Sequence, residues 1–453
     1  MAIRTKTRLA VLVGLLALSA CKKEQEGVAP SAETLTELNQ VAIPIQGSSP
    51  SLPENDLATF DALLSRSKMV GLGEVSHGSK ECFEMKHRLF AYGVKNHNYK
   101  AIGFETPYLR GYFINRYIQG QDIIFEGRRL EINEVLLNPW ATQEVLALVN
   151  WMRNYNLNHP DKIYFFGFDI QYFTSNNYAV LENYLTRVND APNWSSTLAT
   201  LKRYTSSLEY VAFEYHKLPE SEKGAYRQAI QAAKTRLQQN KEAYVAASSQ
   251  AEFNEMAFLL EVAQKAENYY ASATEPTELQ TSAEFIAVNN KRDKLMAESA
   301  EYYIQNILAG AKTMLWAHNS HVFNQNENSR YVRMGYHLRS KAENQYGIIS
   351  FALTKGEIRA VANAGGYTPV QIANTTPSNS LNALFTKAVL KRFVLSTANA
   401  PTTLRSFLSN TTMFNTGAGY SPQYHSSTFD KVNLVEFTDA VIYFDTTQAA
   451  AGL

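Results

Sequence analysis

Apolar residues in this chain come in short unbroken runs rather than in strict alternation. The clearest are Met69–Gly73, Ala101–Phe104, Ile163–Phe168, Thr313–Ala317, Tyr346–Phe351 and Ala440–Phe444. A run without a polar side reads as a strand covered on both faces, the mark of a parallel sheet between helices. Between the runs the spacing turns helical. Glu81–Asn96 sets Phe83, Lys86, His87, Phe90 and Val94 on such a spacing, and Glu144–Tyr155 does the same with Val145, Leu148, Val149 and Met152. Strands that alternate with helices predict an α/β fold, here a parallel β-sheet core flanked by helices.

The middle of the chain breaks this rhythm. Residues 190–308 are rich in Ala, Glu, Gln and Lys and hold no strand-like run. Ala225–Ala247, Ala251–Ala273 and Lys291–Leu308 read as long helices, so the sheet is expected to be interrupted by a large all-helical insertion. The α/β core then occupies 51–189 and 309–453. Residues 21–50 are polar and carry Gly47-Ser48-Ser49-Pro50-Ser51, which reads as a flexible tether.

The polar residues that close the runs carry the chemistry. The first strands end in Gly73-Glu74, Phe104-Glu105 and Phe168-Asp169, and the fourth in Ala317-His318. In an open parallel sheet ligands bind outside the carboxyl ends of the strands, so four such endings converge on one edge. Two loops add imidazoles: His77 follows Glu74 by three residues, and His321 follows His318 by three. Glu74 or Glu105 beside His77 makes a base able to activate water, and His318 or His321 can donate to a developing oxyanion. Asp169 and Asn319 are expected to contact substrate. The same Glu/His cluster is also compatible with a metal-dependent hydrolase.

Other nucleophiles find little support. No Gly-x-Ser-x-Gly elbow occurs, and Cys82 falls within a predicted helix. The 43 basic and 42 acidic residues leave a formal charge of +1, which gives no reason to expect nucleic acid as a partner.

The first twenty residues combine Arg4, Lys6 and Arg8 with an apolar run from Leu9 to Ala20, then Leu18-Ser19-Ala20-Cys21. This reads as a secretory signal ending in a lipobox, with residues 1–20 removed and Cys21 acylated. The expected product is a monomer of the bacterial cell envelope, anchored in a membrane by lipid.

The stretch Gly71-Leu72-Gly73-Glu74-Val75-Ser76-His77-Gly78-Ser79-Lys80-Glu81, running on to Met85-Lys86-His87-Arg88-Leu89-Phe90, resembles the opening motif of the erythromycin esterase family. Phe104-Glu105, Phe166–Gln171, Arg292–Glu298, Leu315–Val322 and Met334-Gly335 resemble its later blocks, in order, across about residues 60–450. The resemblance implies an α/β core with a helical insertion and hydrolysis of an ester, in named members the macrolactone of erythromycin, without a serine nucleophile and without a cofactor. It implies His77 as general base, Glu74 and Glu105 as its acidic neighbours, His318 and His321 as a second pair, and Lys86 as a basic residue of the site; Lys86 and the second pair are expected to donate to the oxyanion or the leaving group. A lipid-anchored relative leaves the natural ester substrate open. A non-catalytic lipoprotein that holds a ligand in the envelope is the contrasting expectation.

Overall fold

The computed structural model describes residues 28–205, 214–273, 282–326, 330–361 and 366–453. Cys21 and the expected signal segment lie outside the described residues. A nine-stranded sheet forms the centre. Its strands are β1 (Ile43–Pro44), β2 (Met69–Leu72), β3 (Ala101–Pro107), β4 (Tyr164–Asp169), β5 (Thr313–Trp316), β6 (Tyr346–Val361), β7 (Tyr367–Gln371), β8 (Arg392–Ser396) and β9 (Ala440–Thr447). Six run parallel in the order β9-β6-β2-β5-β3-β4. All four residues of β2 and of β5 are buried, as expected of strands covered on both faces.

Register fixes where the strands end. Leu72 pairs with Trp316, Trp316 with Phe104 and Phe104 with Gly167. The residues that follow therefore leave the sheet at one edge, side by side.

Three strands were not legible as apolar runs. β8 and β1 add an antiparallel margin, and β7 pairs with the far half of β6. β1 and β7 are short and largely exposed, so no buried run marks them, and the buried run of β8 is only Phe393–Leu395.

The expected tether is corrected. Of residues 21–50, those from Ala32 to Val41 form a helix capped by Ser31, and Ile43–Pro44 joins the sheet. Leu38 is fully buried in a second hydrophobic cluster with Leu384, Phe393, Leu404 and Val441. Leu35, Leu38 and Val41 supply an apolar stripe at helical spacing, and burying it outweighs the flexibility that the polar composition suggested.

Between β4 and β5 the described residues contain helices and no strand. The long ones are Glu220–Gln239, Gln250–Tyr270 and Ala283–Asn306. They share one hydrophobic core with the sheet: Tyr303 stacks on Phe166 of β4 at 4.2 Å between centroids, and Phe258 meets both Tyr303 and Tyr108 edge-on. The insertion is thus packed onto the sheet edge that carries the polar strand ends. Among the described residues no helix is long and apolar enough to cross a membrane.

Candidate active site

Glu74 leaves β2 into the core and is fully buried. A buried carboxylate needs partners, and this one has three. Lys86 Nζ donates to Oε2 at 2.6 Å, Trp316 Nε1 donates to the same oxygen at 2.7 Å, and His77 Nδ1 stands 2.5 Å from Oε1. Burial alone would push the Glu74 carboxyl up; Lys86 and His77 outweigh it and hold it below the usual carboxylate range. Lys86 comes from the inward face of helix Lys80–His97, where its ammonium also sits 4.1 Å from the centre of the Trp316 ring.

Glu74 sets the tautomer of His77. A carboxylate accepts, so Nδ1 carries the proton and Nε2 is left with its lone pair. Gly417 stands beside Nε2: a Cβ there would meet that nitrogen at 4.0 Å and no other atom that near, so the glycine leaves space next to it. The loop that bears His77 is fixed by its backbone. Gly73 N donates to Ile349, Val75 O accepts from Thr416, and Gly78 O accepts from both Arg359 and Ala450. Glycine is required at 78 because a Cβ would fall 1.8 Å from the Arg359 carbonyl oxygen. Gly73 and Gly78 thus admit neighbouring protein, the Asn319 side chain and the Arg359 backbone.

A second cluster stands on β3, β4 and the last insertion helix. Arg292 grips Asp169 through Nε at 3.1 Å and Nη2 at 2.7 Å, and Nη2 also reaches Glu105 at 2.9 Å. Glu105 Oε2 accepts the His318 backbone N–H at 3.0 Å, while its Oε1 lies 3.1 Å from His321 Nε2. His321 Nδ1 is 2.7 Å from Asp293. Burial would raise the Glu105 carboxyl, but His321 and Arg292 hold it well below the usual range.

His318 joins the clusters. Its ring lies 5.3 Å from that of His77, edge to face. Its Nε2 faces Val75 O at 3.3 Å and its Nδ1 accepts from Ser320 N at 3.4 Å. Burial, then the neighbouring His77 and His321, push it down to about 3, so it stays neutral.

Glu74, His77, Glu105, Asp169, His318 and His321 therefore meet at one sheet edge. Three expected roles do not survive. Lys86 exposes no surface and its ammonium is committed to Glu74, so it positions the base and cannot reach a substrate. Asn319, expected to touch substrate, is fully buried and exchanges both amide hydrogen bonds with the backbone of Phe351 on β6, at 2.9 and 3.2 Å. Asp169 spends both oxygens on Arg292, which makes it a support for that guanidinium. Cys82 is buried and its thiol is pushed up to about 12 by burial. Ser76 is buried with its hydroxyl unbonded, so no histidine activates it. Among the described residues no three His, Cys, Asp or Glu side chains are arranged to hold a metal ion.

The family model for erythromycin esterase matches residues 94–447. The chain belongs to the erythromycin esterase family. Erythromycin esterase type II of Escherichia coli is 23% identical over 294 residues, which cover 62% of this chain and 66% of that enzyme, just under two thirds. A Bacillus cereus protein of known structure superposes with a TM-score of 0.77 at 23% identity, over 92% of this chain and 98% of its own. A mutant of the erythromycin esterase EreC in its open conformation gives 0.61 at 17% identity, over 89% and 96%. These structures share the fold. Membership of an esterase family supports a hydrolase.

The functional residues that sequence reasoning left without a role are Arg292, Asp293 and Trp316. The first two stood inside a block that resembles the erythromycin esterase family, which was the available signal; Trp316 was hidden as one more apolar residue of a strand.

Proposed function

We propose that the protein hydrolyses a carboxylic ester or lactone with water as nucleophile. His77 Nε2 takes the proton from water as the oxygen attacks the carbonyl carbon. Glu74 balances the imidazolium that forms, in the manner of a triad carboxylate, and Lys86 with Trp316 holds Glu74 in place. The tetrahedral oxyanion then develops beside the positive side of the second cluster, where Arg292 and His321 stand. Collapse expels the alcohol, and the proton held by His77 goes to it. The observation that carries this reading is the single hydrogen bond from His77 Nδ1 to a buried, ionised Glu74, which leaves Nε2 as a base.

The test is a mass-spectrometric screen of macrolides and simple esters for a gain of one water, run beside His77→Asn. Hydrolysis that persists in His77→Asn overturns the role of His77. We also propose, from the sequence of residues 1–21, that the chain is a lipoprotein acylated at Cys21. Cys21→Ala should then leave the precursor unprocessed or release the protein from membranes; fractionation identical to the unaltered chain would refute it.

A further inference from the structure

His321 differs from the other histidines of the site in having a carboxylate at each ring nitrogen. Asp293 Oδ1 lies 2.7 Å from Nδ1 and Glu105 Oε1 lies 3.1 Å from Nε2. A neutral imidazole carries one N–H and one lone pair, so it would aim a lone pair at one of these oxygens. Only the doubly protonated ring donates to both.

Neither carboxylate is free to take up the proton instead. Glu105 is held by Arg292 and by the His318 N–H. Asp293 accepts the Met334 N–H at 2.9 Å and faces Arg333 at 3.6 Å.

The charges around the ring agree. Asp169, Glu105 and Asp293 supply three negative charges; Arg292 and Arg333 supply two positive ones, and His321 completes the balance as a cation. Arg292 Nη1, which can only donate, lies 3.2 Å from Nε2, so a neutral ring would accept there but would hold the same lone pair 3.1 Å from Glu105 Oε1; the guanidinium itself is compensated by Asp169 and shared with Glu105. The fourth neighbour, His318, is neutral.

We propose that Asp293 is a positioning residue that keeps His321 as an imidazolium, which makes His321, and not His318, the electrophilic partner of His77. The assignment deepens the ester-hydrolase reading and, as a mechanistic role, rests on it. Burial would lower His321, yet Asp293 and Glu105 together raise it to about 9. The ring therefore enters the reaction already charged. With both N–H groups spent on Asp293 and Glu105 it acts on an oxyanion through its charge and not through a hydrogen bond, and it cannot compete with His77 as a base at neutral pH.

The experiment is a side-chain nitrogen NMR titration of the full chain labelled at histidine, with His321 assigned by comparison with His321→Gln. In the unaltered protein the His321 nitrogens should keep imidazolium shifts through pH 8 while His318 stays neutral. In Asp293→Asn the amide can donate to Nδ1, and the midpoint should fall by about 1 to 3 pH units. On any ester the enzyme cleaves, Asp293→Asn should lower kcat by about 10²-fold with KM little changed.

A His321 that is neutral at pH 7 in the unaltered chain overturns the proposal without any variant. So does a midpoint unmoved by Asp293→Asn. A charged His321 in a protein that cleaves no ester would uphold the charge assignment while defeating the ester-hydrolase reading, so the two failures are distinguishable.

Discussion

His77 and His321 are almost equally exposed, at 12% and 11% of the side chain, yet they are held in opposite ways. His77 has one carboxylate, three residues away in sequence, and keeps a nitrogen free. His321 has two carboxylates, 28 and 216 residues away, and keeps neither nitrogen free. The first half of the site is local to β2 and the helix after it. The second is assembled from three strand ends and the last insertion helix. The difference teaches that acid–base character here follows from the number of partners: one acceptor leaves a base, two make a fixed cation.

The comparison breaks most sharply at His77. His77→Asn should lower turnover by about 10² to 10⁴ with the melting profile preserved, since the ring lies at the rim of the core. A stopped assay on any cleaved ester checks this.

Next is the support behind it. Lys86→Met leaves the buried Glu74 without its cation and should destabilise the fold by about 3–5 kcal/mol, read as a lower urea midpoint. A change below about 1 kcal/mol would mean that His77 and Trp316 suffice to hold the carboxylate.

The His321 half predicts a pH signature of its own. A histidine raised from 6.5 in the unfolded chain to about 9 when folded adds stability that is complete below pH 6.5 and disappears as pH rises through 9. The size is on the order of 3 kcal/mol. His318 acts in the opposite direction. Its folded value near 3 means that acidification below 6.5 protonates the unfolded chain first and costs stability. Urea midpoints of the unaltered protein and His321→Gln, taken at pH 5, 7.5 and 10, separate the two. Midpoint differences that stay constant from pH 7.5 to 10 contradict the charged His321.

The smallest effect should come from Arg292→Lys. It keeps the charge but loses the two-pronged grip on Asp169, and activity should fall by about tenfold. Combined with His77→Asn, the losses should be less than additive if both halves act on one transition state.

Much of the sheet and half of the site could be read from the chain because each parallel strand is an unbroken apolar run with its polar residue at the end. Glu74, Glu105, Asp169 and His318 were visible for that reason. Arg292 and Asp293 were not: they sit within Asn289-Asn290-Lys291-Arg292-Asp293-Lys294, a polar stretch of helix that looks like a solvated face until the sheet edge beneath it is known. Lys86 was misassigned in the other direction. It shares the inward face of its helix with Cys82, Phe83, Leu89 and Phe90, a spacing that predicts burial more strongly than contact with substrate. The N-terminal helix was missed because composition was weighed above the spacing of Leu35 and Leu38.

The helix Ala283–Asn306 starts at its own cap, where the Ser282 hydroxyl accepts the Phe285 N–H at 3.0 Å, and two turns later delivers Arg292 and Asp293 to the sheet edge. This sets a splice rule for engineering. A chimera that borrows a relative's helices to change what the cleft admits should be joined before Ser282. Cut there, the donor segment can vary in length and shape while the recipient retains its own electrostatics. Joined beyond Asp293, the same graft would import a foreign charge pattern and confound every comparison of selectivity made with it.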